Sequence, residues 1–219
     1  MEIKVIKNIL GENDHLAAEN QVMFQNEHVF VVNFMGSPGA GKTSVLERTM
    51  ERLNGELKMA VIEGDLFTSK DADRIDKYGV PVIQINTAGG CHLDANMVQK
   101  TARDIDLKSL DLLVIENVGN LVCPAEFALG EDARAVVLSV TEGDDKPMKY
   151  PLMFKESDIA LINKIDLAPY CNFNVKSATE DIEMLHPGIE VHEVSCTTGE
   201  GIDAWCDWLR VGVKKKKKN

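Results

Sequence analysis

No stretch of this 219-residue chain approaches the roughly 20 consecutive apolar residues that a membrane-spanning helix needs, so no membrane partner is expected. No C-x-x-C occurs among the five cysteines, at 91, 123, 171, 196 and 206, which leaves a thioredoxin-like role without support. Their odd number argues against a disulfide framework. Residues 1–7 are charged throughout and lack the apolar centre of a secretion signal, so reduced thiols and a cytoplasmic location are expected. There is no internal repeat, and the one low-complexity stretch is the lysine run at 214–218. Positive charge is scarce elsewhere: the net charge of −11 includes those five lysines, so the body without them carries −16. Such a body repels nucleic acid, whose phosphates dominate non-specific affinity. What is present, 44% hydrophobic and 27% charged residues, is the mixture of a globular domain.

The apolar pattern divides the chain into an N-terminal helical segment over 1–28, one nucleotide-binding domain over 29–211, and a basic tail over 212–219. A terminal charge block reads as a disordered, solvated end, the alternative being a surface for an acidic partner. Residues 11–28 read as a helix, with Leu16, Ala17, Met23 and Phe24 at compatible spacings and Asn13 or Asp14 as cap. Short apolar runs follow at 29–35, 59–62, 82–85, 112–115, 135–139, 159–163 and 189–193. Helical segments interleave at 43–53, 69–78, 93–105, 175–186 and 201–211. Continuous apolar strands between helices predict an α/β fold, a mostly parallel sheet covered by helices on both faces, with ligands outside the carboxyl ends of the strands.

The first predicted strand runs into Gly36-Ser37-Pro38-Gly39-Ala40-Gly41-Lys42-Thr43, a G-x-x-x-x-G-K-[ST] segment that opens a predicted helix at Thr43 and Ser44. Phosphates need donors at close range. Glycines let backbone N–H groups curl inward, the helix N-terminus adds its positive end, Lys42 is expected to reach the β- and γ-phosphates, and the Thr43 hydroxyl to hold Mg²⁺. Asn163-Lys164-Ile165-Asp166 ends a later strand. The Asp166 carboxylate can accept from the N1–H and N2–H₂ of guanine, a donor pair that adenine lacks, and the Lys164 stem can lie over the base. This favours GTP and GDP over adenine nucleotides; the alternative is a helix-start cap at Asp166. The loop from Ser195 and Cys196 to Gly199 follows the last strand and can close over the base edge, although its composition is simply that of a turn.

Two acids end intervening strands. Glu116 is expected to face the phosphates and support Mg²⁺, and Asp65 to position the attacking water or the metal's shell; capping of the next segment is the competing reading for each. Arg74 and Arg103 fall in predicted helices and read as solvated, so no arginine finger is expected and intrinsic hydrolysis should be slow. Cys91-His92 and Cys123-Pro124 each follow a strand end on the nucleotide side, and thiolate with imidazole suits Ni²⁺ or Zn²⁺; by spacing alone, buried free thiols are the commoner explanation. Cys196 and Cys206 read as packing residues, and His15, His28, His186 and His192 as surface or structural.

From the P-loop to Trp208 the sequence resembles the HypB family, GTPases of the SIMIBI class that serve nickel insertion during hydrogenase maturation. The resemblance rests on Glu63-Gly64-Asp65, Cys91-His92-Leu93-Asp94-Ala95, the segment from Glu116-Asn117-Val118-Gly119 to Cys123-Pro124, Thr141 to Lys146, and Asn163 to Asp166. It implies a GTP-dependent homodimer with a nickel or zinc site of Cys91, His92 and Cys123 at or beside the subunit interface. It also implies Lys149 reaching the nucleotide of the other subunit, and a HypA-like nickel chaperone and the hydrogenase large subunit as partners. The chain has no Cys-rich leader or His-rich stretch before the P-loop, so a nickel site or store there is expected to be absent. Ala125 stands where the related urease GTPases complete a Cys-Pro-His motif, which disfavours that assignment. Competing readings are a GTPase assembly factor acting by docking with inert thiols, a metal-storage protein, and a small-molecule kinase. The guanine motif and the lack of an obvious lid or acceptor pocket argue against the last.

Overall fold

β-Branched and aliphatic residues fill seven strands, and each strand is buried on both faces except at the sheet's outer edges. In the computed structural model, which describes residues 9–66 and 70–218, these are β1 (Phe30–Gly36), β2 (Met59–Asp65), β3 (Val82–Asn86), β4 (Leu112–Glu116), β5 (Ala133–Ser139), β6 (Ile159–Asn163) and β7 (Glu190–Val194). All pair in parallel, in the order β3-β2-β4-β1-β5-β6-β7. From β1 the chain winds first toward β2 and β3, then from β5 to the opposite edge. The loop after β1 therefore sits where the winding reverses, the place at which such sheets bind ligands.

Both faces are covered. Phe30, Val32 and Phe34 of β1 point to one side, where α2 (Lys42–Leu53) and α9 (Ile202–Lys216) bury Val45, Leu46, Trp205 and Leu209 against them. Trp205 stacks on Phe34 at 5.6 Å, and its indole N–H donates to Thr49 Oγ1 at 2.9 Å, so its one polar atom is satisfied in the core. On the other side α1 (Ile9–Asn26) and α4 (Ala95–Ala102) bury Phe24, Leu93 and Val98 on β4 and β2. There α7 (Pro151–Lys155) and α8 (Val175–Leu185) cover β5 and β6.

Two expectations change. The helix expected over 93–105 starts at Ala95, because Asp94 takes the N-cap and accepts from the Met97 N–H at 2.8 Å. The tail expected to be disordered from 212 is instead the last turns of α9. Val213 is buried in the core, Lys216 Nζ meets Asp132 at 2.6 Å, and Lys217 pairs with Asp111, carboxylates just ahead of β5 and β4. Lysines also favour the negative end of a helix. The charged stretch at 1–7, residue 69 of the expected third helix, and Asn219 lie outside the described residues.

Candidate functional site

Every loop that leaves the carboxyl end of β1, β2, β4 and β6 opens onto one cavity of about 430 Å³, lined by Lys42, Thr43, Glu63, Asp65, Glu116 and Lys164 among others. The cradle is built by close approach. Gly41 has φ +97°, and a Cβ there would lie 2.4 Å from Asn163 Nδ2, so the turn needs glycine twice over. Asn163 is buried and donates from Nδ2 to Ala40 O at 2.8 Å, while Lys164 Nζ donates to Gly39 O at 2.7 Å. The motif expected to read the base thus braces the phosphate loop directly. Lys42, also buried, turns back to Gly36 O at 3.4 Å. Ser37 leaves the cradle to bond Glu142, and Pro38 packs on Gly119, where a Cβ would meet its backbone at 2.9 Å.

Thr43 Oγ1 donates to Glu116 Oε1 at 2.9 Å. Glu116 lies directly across from Glu63 in the β2–β4 register, and both carboxyls are almost wholly buried. Burial and the like charge of its neighbour push the Glu63 carboxyl far above the ordinary range. Glu116 is raised by burial too, but Lys42, Glu63 and Thr43 pull the other way, so Glu63 is the one that holds the proton. Each retains an Oε2 with no hydrogen-bond partner among the described residues. Orphaned buried carboxylate oxygens beside a threonine hydroxyl are a donor set that suits a hard divalent cation such as Mg²⁺. Sequence reasoning passed over Glu63 in favour of Asp65. The signal was the two-residue spacing in Glu63-Gly64-Asp65, which puts both side chains on one face. Asp65 stands half-buried at the rim and accepts from the Leu66 N–H.

Asp166 does not cap the following 3-10 turn; its Oδ1 accepts from Ser195 Oγ at 2.6 Å. Ser195 in turn receives the Thr197 and Thr198 N–H groups, so the loop expected to cover the base is tied to the residue expected to read it. Arg74 is not solvated as expected. On α3 (Lys70–Asp76) it pairs with Glu47 and Asp71 and donates to Ser44 Oγ at 3.0 Å, at the lip of the cradle. The fold pulls α3 over α2, a placement that helix periodicity alone does not reveal. Lys149, on α6 (Lys146–Lys149), is exposed and pairs with Asp145 at 2.5 Å, outside the cavity of its own chain.

Cys91, His92 and Cys123 come together. Their ligand atoms lie within 4.8 Å of one another, with Cys91 Sγ 2.9 Å from Cys123 Sγ and 3.5 Å from His92 Nδ1. Cys123 opens the short helix α5 (Cys123–Glu126), and the His92 ring stacks on Phe127 at 3.9 Å. The neighbouring Cys91 thiol raises the Cys123 thiol, while burial lowers His92, leaving a neutral imidazole suited to ligation. Three soft-to-borderline donors leave room for a fourth ligand. Asn117, which sequence reasoning did not single out, joins this cluster to the nucleotide cavity. It follows Glu116, is buried, and its Oδ1 accepts from both the Leu93 and Val118 N–H groups at 3.0 Å. Leu93, next to His92, also packs on Gly64, where a Cβ would meet its side chain at 2.9 Å. Of the other thiols, burial raises Cys196 and Cys206 to about 11, which suits packing roles.

A parallel sheet with this cradle after its central strand defines a P-loop nucleotide-binding protein, one that carries a thiol–imidazole cluster beside its phosphate end. Residues 30–193 match the model of the CobW/HypB/UreG nucleotide-binding domain. The chain belongs to that family, on its HypB branch. It is 50% identical over 207 residues to the hydrogenase maturation factor HypB of Azotobacter vinelandii, covering 94% of this chain and 68% of that protein. Its fold superposes on HypB of Archaeoglobus fulgidus with a TM-score of 0.88 at 38% identity, covering 93% and 99% of the two chains. It superposes on HypB of Helicobacter pylori, solved in complex with nickel, with a TM-score of 0.87 at 40% identity, covering 95% and 96%.

Proposed function

We propose that this chain is a GTP-hydrolysing metallochaperone that assists nickel insertion into a [NiFe] hydrogenase, and that GTP-dependent pairing of two copies controls its Cys91, His92 and Cys123 site. The observation that carries this reading is the continuity of the two sites. The strand end that bears Glu116 continues into Asn117, which holds the backbone of the Cys91-His92 loop through Leu93. A shift of the β2 and β4 ends on nucleotide exchange moves the loop that carries two of the three ligands.

In this reading Lys42 and the P-loop amides, from Gly36 to Ser44, hold the phosphates. Thr43 and Glu116, with Asp65 at the rim, form the Mg²⁺ side. Asp166 reads the guanine edge, with Lys164 along the base and Ser195 and Cys196 closing over it. When bound, Mg²⁺ neutralises charge on the β- and γ-phosphates. Lys149 of each copy meets the nucleotide of the other, and hydrolysis is slow. Nickel is the cargo, with zinc as the competing occupant. The relatives' names as hydrogenase maturation factors support a hydrogenase large subunit as recipient and a HypA-like chaperone as the nickel partner. Five free thiols, Cys91 among them exposed, suit a reducing, cytoplasmic setting.

The test is nickel and zinc affinity of the reduced protein, by chelator competition, with GDP and with a non-hydrolysable GTP analogue. The proposal expects affinity to differ between nucleotide states and to fall at least tenfold in Cys91→Ala and Cys123→Ala. Nucleotide-independent affinity, or mutants that bind as the parent does, would refute it and leave a GTPase that acts by protein docking.

A further inference from the structure

We infer that Arg48 is a positioning residue for guanine selectivity, acting through the backbone of Cys196. The inference rests on the guanine reading above. The loop after β7 is nearly closed on itself: Ser195 N–H donates to Glu200 O, Gly199 N–H to Ser195 O, and the Thr197 and Thr198 N–H groups to Ser195 Oγ. Among the described residues, the Cys196 N–H is the one amide of 195–200 without an internal acceptor. It is therefore the loop's free donor, beside Asp166, where a purine edge has to lie. Guanine presents an acceptor there, O6. Adenine presents an amino group instead, which a fixed N–H repels.

A free donor discriminates only if its peptide is held. The Ser195–Cys196 peptide is fixed by the bond from Gly199 to Ser195 O. The Cys196–Thr197 peptide is held within the loop by its Thr197 N–H on Ser195 Oγ and tied to the cradle helix by Arg48, whose Nε donates to Cys196 O at 2.7 Å from the second turn of α2. Arg48 is itself seated by Glu51 at 2.6 Å, and Glu51 receives the Tyr78 hydroxyl at 3.1 Å. This chain of contacts runs along the edge of the helix that begins in the phosphate cradle, so base loop and cradle share one rigid support. Without Arg48 the loop keeps its internal bonds but loses this tie to α2, and the position of the Cys196 N–H relative to the cradle and the base is no longer set.

The experiment compares GDP with 6-thio-GDP by calorimetry. The thio analogue keeps the N1–H and N2–H₂ donors for Asp166 but replaces O6 with a poor acceptor. Arg48→Ala is expected to bind GDP about tenfold more weakly, the worth of one neutral hydrogen bond at most, and 6-thio-GDP within twofold of the parent. Glu51→Gln, which loosens Arg48 without removing it, is expected to show a smaller loss of the same selectivity, and covers the case in which Arg48→Ala folds poorly. Equal losses for both ligands, or none, would overturn the inference. A parent protein that binds ADP as tightly as GDP would overturn the guanine reading beneath it.

Discussion

Glu63 should make the ligand-free protein less stable as pH rises through neutrality. Its carboxyl is 3% exposed, opposite Glu116, and stays protonated in the folded state at pH 7, whereas in the unfolded chain it ionises near 4.5. A folded-state value above the unfolded one means that the folded protein holds a proton the unfolded chain has released. The associated stability is complete below about pH 4.5 and is lost at ~1.4 kcal/mol per pH unit above it. At pH 7 the cost is about 3 kcal/mol, set by the distance from 4.5 to 7 and not by how far above 7 the folded value lies. Glu63→Gln keeps the shape and a donor toward Glu116 but has no proton to hold. Urea unfolding in EDTA, at pH 5, 6 and 7, should show the variant gaining on the parent, from under about 1 kcal/mol at pH 5 to about 3 kcal/mol at pH 7. Carboxylates that do not touch Glu63 cancel in the difference, and the amide N–H₂ of the variant keeps a hydrogen bond for Glu116, the one that does. A gap that stays constant with pH would refute the reasoning, because it would show that Glu63 carries no extra proton in the folded state.

Nickel affinity should rise with pH, since the Cys123 thiol is held protonated by Cys91 and has to release its proton on binding, whereas His92 is already neutral. Chelator competition between pH 6.5 and 8.5 should show up to about tenfold per pH unit for each proton released, and a flat profile would exclude thiolate ligation. Asn117→Ala should leave nucleotide affinity nearly intact while abolishing any difference in metal affinity between GDP and GTP-analogue states. It should also lower stability by about 1–3 kcal/mol, since it strands the Leu93 and Val118 N–H groups. Gly119→Ala places a methyl against the Pro38 backbone, and should reduce nucleotide affinity by more than tenfold with little change in metal binding by the isolated cluster. Trp205→Ala, which empties core space between β1 and α2, should cost about 3–5 kcal/mol in urea unfolding.

Much of this architecture was legible from local pattern. Apolar runs separated by helical segments determined a parallel sheet covered on both faces, because strands buried twice have no polar face to show. The Gly36–Thr43 segment located the phosphate cradle, because few loops need glycines, a lysine and a hydroxyl at that spacing. By spacing, Cys91, His92 and Cys123 were visible only as residue types, and the family resemblance alone grouped them: 32 residues separate Cys91 from Cys123, and it is the fold that brings the loops after β3 and β4, strands on either side of β2, close enough to set the two sulfurs 2.9 Å apart. Glu63 became significant only through the β2–β4 register, and Asn117 only through a hydrogen bond to a segment 24 residues away. Arg74, Arg48 and the lysines of α9 share one lesson. A charged residue on a helix looks solvated in sequence, because its partners belong to other elements; here those partners are Glu47, the Cys196 carbonyl and Asp132. Periodicity and short motifs report interactions within one element, so composition and spacing by themselves determined the sheet, the cradle and the kinds of ligand available. Which side chains share a proton, a metal or a hinge was decided by packing between elements distant along the chain.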